Sequence, residues 1–169
     1  MNQKYIITGA PGTGKTSIIN ELKKRKFKCV DENARQIISK KRSSKKEIIF
    51  CENIIAEMRT QEYLKSPKEC VCFFDRSIFD CIAYLKINNL DTTSEILSNI
   101  KLCNFNTHVF FTPIWKEIYR TDNERKENII QAQKIEDFIL KTYKDYGYKL
   151  IEIPKKTIKQ RADFIISKI

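Results

Sequence analysis

At 169 residues the chain has room for one domain with a real core and little for a second. Its apolar fraction of 41% is ordinary, and no segment approaches the about 18 apolar residues that a membrane span needs. The net charge of +11 rests mostly on lysines without an interleaved aromatic stripe, so it reads as a solvated surface around a site for an anion, with nucleic acid as the lesser reading.

The N-terminus runs straight into a strand pattern without the zones of a signal peptide, which leads to the expectation of a soluble, cytoplasmic protein. Six cysteines at 29, 51, 70, 72, 81 and 103 form no CxxC pair, and His108 is the sole histidine. That spacing argues against structural zinc or a disulfide framework, and Cys70 and Cys72 read as one face of a strand.

Strand and helix patterns alternate along the chain. Residues 4–8 read as a buried strand and 15–25 as a helix with Ile18, Ile19 and Leu22 on one face. A strand over 27–30 leads into a helix carrying Ala34, Ile37 and Ile38, followed by a basic loop over 40–46. The periodicity predicts a longer helix over 47–64 with Ile48, Ile54, Ile55, Met58 and Tyr63 inward, stopped by Ser66-Pro67. "CVCFFDRS" is a third strand ending at Asp75, and a helix follows over 77–87.

"TTSE" at 92–95 has the form of a capping box opening a helix through Leu102. "HVFFT" at 108–112 is a fourth strand. The polar stretch "YRTDNERKE" precedes a helix over 127–145, which Gly147 stops. "YKLIEI" is the fifth strand, and a last helix over 157–168 buries Ile158, Ala162, Ile165 and Ile166. Five apolar strands alternating with helices predict one α/β domain over 1–169, its parallel sheet covered on both faces.

The strongest chemical signal is "GAPGTGKT", Gly9-x4-Gly14-Lys15-Thr16, between the first strand and the first helix. Backbone amides of such a loop wrap a phosphate, and the helix behind them points its positive end at it. Lys15 would reach the β- and γ-phosphates, and the Thr16 hydroxyl would complete a magnesium shell. Asp75 at the end of the third strand would lie beside this loop and hold magnesium, or else cap the helix that follows.

Three further stretches end strands where ligands bind in open α/β sheets. In "VDENAR", Glu32 and Arg35 share a helical face: Glu32 would orient an acceptor hydroxyl or take its proton, with Asp31 as a substitute, or the two form an exposed ion pair. In "DRSIFD", Arg76 would bind an acceptor or a phosphate, while Asp80 would pair with Arg76, touch a hydroxyl or sit on a solvated face. In "WKEIYRTDNER", Arg120 and Arg125 would belong to a lid over about 115–127 that closes on the triphosphate. Trp115 would brace that segment, stack on a ring or pack in the core.

"GAPGTGKT", "VDENAR", "FFDRSIFDCIAYL", "PIWKEIYRTDNERKE" and "DYGYKLIEIP" occur in this order and together resemble one family. It is the small P-loop ATPase family whose AAA-like domain is shared with bacterial ribosylnicotinamide kinases and an insect photoreceptor-trafficking protein. The resemblance implies a nucleoside/nucleotide-kinase-like P-loop fold, three-layer αβα, with five parallel strands in the order 2-3-1-4-5. It implies magnesium-ATP held by Gly12 to Ser17, within a nucleotide-binding loop of Gly9, Ala10, Pro11, Gly12, Thr13, Gly14, Lys15, Thr16 and Ser17. Glu32, Arg35, Asp75 and Arg76 would face the acceptor, Arg120 and Arg125 the lid, and the turn from Pro154 to Thr157 the adenine. Two departures stand out: Ser77 where relatives often have glycine, and the very basic 40–46 stretch.

Transfer of the ATP γ-phosphoryl group to a small nucleoside- or nucleotide-like acceptor is the first functional expectation. An ATPase or nucleotide-dependent switch without such an acceptor is the alternative. A ring-forming motor fits poorly, because no separate helical domain follows the nucleotide core. The protein is expected to act as a monomer or small homo-oligomer.

Overall fold

The protein is described by a computed structural model that covers residues 3–33, Ile37, 44–117 and 129–169. Ala34, Ile38, most of the basic 40–46 stretch, and the lid residues from 118 onward lie outside the described residues, as do Arg35, Arg120 and Arg125.

Five parallel strands form the sheet: β1 (Lys4–Thr8), β2 (Lys28–Val30), β3 (Cys72–Asp75), β4 (His108–Phe111) and β5 (Lys149–Glu152). Their order is β2-β3-β1-β4-β5, as the resemblance implies. Cys70 falls before β3, so Cys70 and Cys72 do not form one face of a strand. The helices are α1 (Lys15–Lys24), α2 (Lys45–Lys65), α3 (Ile78–Ile87), α4 (Ser94–Ile100), α5 (Ile129–Asp145) and α6 (Ile158–Ile166).

The strands are apolar on both faces because helices cover both. In register, Ile6, Phe74 and Val109 face one side, where they meet α2, α3, α4 and α5. Tyr5, Ile7, Phe73 and Phe110 face the other and meet Ile18, Ile19 and Leu22 of α1 with Ala162 and Ile165 of α6. This period-two division of one sheet produces the three layers.

Local chemistry sets most helix ends. Ser44 and Glu47 form a reciprocal capping box at the start of α2, and Ser66 closes it before Pro67. Thr93, not Thr92, caps α4 and accepts from Ile96 N, so "TTSE" does not form the expected box. The frame slips by one residue, and the third helical position then holds isoleucine, which cannot reciprocate. In α6 Ile158 is 46% exposed and burial begins at Arg161. The inward face of α2 also differs from the apolar stripe: Glu52, Arg59 and Thr60 are buried beside Ile55 and Ala56, while Ile54 and Met58 are half-buried.

The end of β4 presses on the start of the loop after β1. A Cβ on Gly9 would lie 2.4 Å from Thr112 Oγ1 and 2.5 Å from Thr112 O, and Gly9 also has φ of +142°. Gly9→Ala is therefore expected to lower unfolding free energy by about 3 kcal/mol or more, combining overpacking and backbone strain. Urea denaturation checks this; an unchanged midpoint would refute the contact.

Candidate functional site

Residues 9–14 turn from the end of β1 into α1. The helices α2, α3, α4 and α6 open on a Ser or Thr side-chain cap, but α1 opens on Gly14, in the left-handed conformation with φ of 85° and no side-chain cap. Its first amides are thus offered to an external anion, as a phosphate-binding helix requires. The loop is braced from within. Thr13 Oγ1 lies 2.9 Å from Ala10 O and 2.6 Å from Thr112 Oγ1, which in turn lies 3.2 Å from Thr8 O, so two hydroxyl protons serve three contacts.

Lys15 Nζ donates to Gly9 O at 2.9 Å and Ala10 O at 2.7 Å, and the side chain is buried. Burial first, then the nearby Arg76 cation, pulls its pKa down to about 7 despite Asp75, Glu32 and Asp80. Across from it Asp75 closes β3, buried, with Oδ1 lacking a hydrogen-bond partner. Burial pushes the Asp75 carboxyl above its ordinary range, although Lys15 pulls the other way. An orphaned carboxylate oxygen beside a threonine of the phosphate loop suits a magnesium ion, so Asp75 and Thr16 fit the metal that the fold implies. Asp75 does not cap α3; Ser77 does, which removes that alternative.

The next residue, Arg76, has φ of 74°, uncommon for a side chain of this size. Its amide continues to Ile7 O, while its guanidinium turns toward Glu32 and Asp80. Strain of this kind persists where the surroundings over-determine the backbone, and functional sites are frequent among such places. Glu32 lies between two guanidiniums, Arg76 Nε at 3.1 Å and Arg59 Nη2 at 2.9 Å. Burial alone would raise its pKa, but Arg76, Arg59 and Lys15 outweigh it and hold the carboxylate below its ordinary value.

Glu32 is thus an almost buried anion, not half of an exposed ion pair. The solvated-face alternative for Asp80 is likewise overturned. It is fully buried and accepts from Thr8 Oγ1 at 2.7 Å, Arg76 Nη1 at 3.0 Å, Ser77 N at 2.9 Å and Tyr143 Oη at 2.7 Å.

These groups meet at one groove. Thr16, Asn20, Lys23, Asp31, Glu32 and Asp75 line a space of about 270 Å³, open to solvent, with Lys23 and Asp31 paired at its side. A recess of about 10 Å³ shares Asp31, Glu32 and Asp75 with it and is also lined by Met58, Arg59, Phe74 and Phe105. The recess holds no more than a water-sized group as it stands.

Arg59 is the charged site residue that the sequence reading missed. Its signal was a cation on the inward stripe Ile55, Arg59, Tyr63 at four-residue spacing. Thr8 and Tyr143 were missed as polar members because both sit in otherwise apolar patterns. Ser77, noted for departing from glycine, caps α3 and bonds Tyr143 Oη at 2.7 Å. Trp115 is half-buried. Pro154 begins the turn after β5, and Thr157 caps α6 by accepting from Gln160 N.

Removing the Asp80 charge leaves Arg76 short of a buried partner. Asp80→Asn is expected to destabilise the fold by about 3–5 kcal/mol in urea denaturation. The folded pKa of Asp80 is depressed below 3.8, because Arg76, Arg59 and its hydrogen bonds outweigh the opposing effect of burial. Its contribution is therefore full above the unfolded value and lost as pH falls through the folded one. The difference between wild type and variant should shrink below about pH 4; a difference that persists unchanged there would contradict the assignment.

A fold search finds the same architecture in nucleoside and nucleotide kinases. Deoxyadenosine kinase from M. mycoides with bound dATP superposes with a TM-score of 0.72 at 17% identity, covering 98% of each chain. Thymidylate kinase from Candida albicans gives 0.70 at 17% identity, over 99% of this chain and 91% of its own. Thymidylate kinase from Ehrlichia chaffeensis gives 0.69 at 15% identity, over 98% and 97%. No curated protein matches in sequence. With its phosphate loop, strand order and a family match that runs from residue 4 to residue 161, the chain has the P-loop kinase fold and belongs to the AAA domain family.

Proposed function

We propose that the protein is a magnesium-ATP-dependent phosphotransferase acting on a hydroxyl of a small nucleoside- or nucleotide-like acceptor. The observation that carries this reading is the single groove lined at once by Thr16 of the phosphate loop and by Glu32. A donor phosphate and an acceptor hydroxyl could occupy its two sides, and positioning of that kind is most of what phosphoryl transfer asks of a protein. The kinship of fold with nucleoside and nucleotide kinases supports the same reading.

On this reading the loop amides and Lys15 hold the β- and γ-phosphates, with Gly9, Ala10, Pro11, Gly12, Thr13, Gly14 and Ser17 shaping the cradle. Thr16 and Asp75 would hold magnesium, whose charge would offset that of the phosphates. Glu32, kept ionised by Arg59 and Arg76, orients the acceptor hydroxyl and receives its proton. The acceptor oxygen bonds to the γ-phosphorus as the bond to the β–γ bridging oxygen breaks, leaving ADP and a phosphorylated acceptor. Arg76 and Arg35 serve the acceptor side, with Asp80 fixing Arg76. Arg120 and Arg125 stabilise the transferring group from the lid. The turn from Pro154 to Thr157 receives the adenine. The protein works in the cytoplasm as a monomer or small homo-oligomer.

ADP release measured across a panel of nucleosides, nucleotides and cofactors should rise with one acceptor class; background rates throughout would count strongly against transfer. With that acceptor, Glu32→Gln should lower kcat by about 100-fold or more while leaving the ATP Kd within about twofold. Equal losses in kcat and in ATP binding would move Glu32 to the nucleotide. Asp75→Asn should make calorimetric ATP affinity insensitive to magnesium; a wild-type magnesium dependence would remove Asp75 as a ligand.

A further inference from the structure

Two arginines join α6 to the α1 side of the protein, and they differ in kind. Arg25, just past α1, pairs with Glu21 and Asp163 and donates to Lys159 O. Arg161 reaches instead to the phosphate loop, where Nη2 donates to the Thr13 carbonyl at 3.1 Å. Its side chain is only 3% exposed, and its Nε is buried without a hydrogen-bond partner. Among the described residues no carboxylate pairs with it. Burial lowers its pKa, yet guanidinium starts so high that the charge remains.

An unpaired buried cation opposes folding unless something else compensates it. Its single bond indicates what that is. The Thr13–Gly14 peptide is trans, so its carbonyl and its N–H point in opposite directions. With the carbonyl turned to Arg161, the Gly14 N–H is turned away from α6, at the uncapped start of α1. A cation on the carbonyl also polarises the peptide and strengthens its N–H as a donor.

We infer that Arg161 is a positioning residue for the triphosphate: it fixes and polarises the Thr13–Gly14 peptide and supplies, from behind the loop, a positive charge that the phosphates compensate. This rests on the reading of the loop as a nucleoside triphosphate site, and extends it to a helix outside every motif of the sequence.

The test is calorimetry with magnesium-ATP, alongside thermal melting of the ligand-free proteins. Arg161→Met should raise the Kd about tenfold or more without lowering the ligand-free melting temperature, since an unpaired buried charge is removed. Arg161→Lys, which keeps the charge, should stay within about threefold of wild type. Arg25→Met, which cuts only the exposed link, should leave the Kd unchanged. A wild-type Kd in Arg161→Met would overturn the inference, as would an Arg161→Lys variant as weak as Arg161→Met. If Arg161→Met does not fold, Arg161→Gln, which keeps a donor and loses the charge, takes its place under the same criterion. A wild-type protein that binds no magnesium-ATP would sink the nucleotide reading itself, whereas a normal wild type with an unaffected variant sinks only the role of Arg161.

Discussion

Arg76 keeps its charge in a site only 5% exposed, and much of the surrounding arrangement answers to that constraint. Taking a guanidinium out of water is costly unless anions and acceptors are already in place. Glu32 and Asp80 supply the anions, and Arg59 shares Glu32 from the far side. Asp80 is in turn fixed by Thr8 of β1, Ser77 ahead of α3 and Tyr143 of α5. The result is a neutral quartet of two carboxylates and two guanidiniums that ties three parts of the chain together. Lys15 and Asp75 stand outside it. The first is pushed toward its neutral form and the second likewise, each mainly by burial. The four charges of the quartet are held in mutual ion pairs, whereas Lys15 donates to two carbonyls and Asp75 Oδ1 has no hydrogen-bond partner; ionisable groups perturbed in this way are frequent at functional sites.

The fold and half of the site were legible in the sequence, and the division has a physical reason. A phosphate cradle is made of consecutive backbone amides, so its requirement for glycine appears as a contiguous motif. The sheet was legible because apolar runs alternating with helical periods admit few architectures. Asp75 and Asp80 could be named from strand and helix position, though not the fate of Asp80. The cluster around Glu32 and Arg76 is made of side chains from remote elements. Arg59 meets Glu32 across 27 positions and Tyr143 meets Asp80 across 63, and no local pattern encodes either. Helix ends failed for a smaller reason: Thr92 and Thr93 offer competing caps, and only packing chooses between them.

The same division bears on how this fold serves different substrates. The chain shares its architecture with kinases at 15–17% identity, over nearly its whole length. Backbone-made parts survive such divergence because many side chains are compatible with one loop path. Side-chain-made parts depend on particular pairs, and Ser77 with Tyr143 is one. Its hydroxyl closes a bond to Tyr143 that a glycine could not form, so α3 and α5 are fastened here by chemistry particular to this pair of residues.

Thr8, at the end of β1, links the Asp80 network to the phosphate loop. Its hydroxyl goes to Asp80, which pairs with Arg76, and its carbonyl accepts from Thr112, whose own hydroxyl touches Thr13 of the phosphate loop. One residue at the tip of the central strand therefore sets the spacing between the two anchors. Were two reactants to dock there, as the proposed transfer requires, they would meet at a separation already decided when the chain folds, and much of the entropy otherwise lost in bringing them together would be surrendered beforehand.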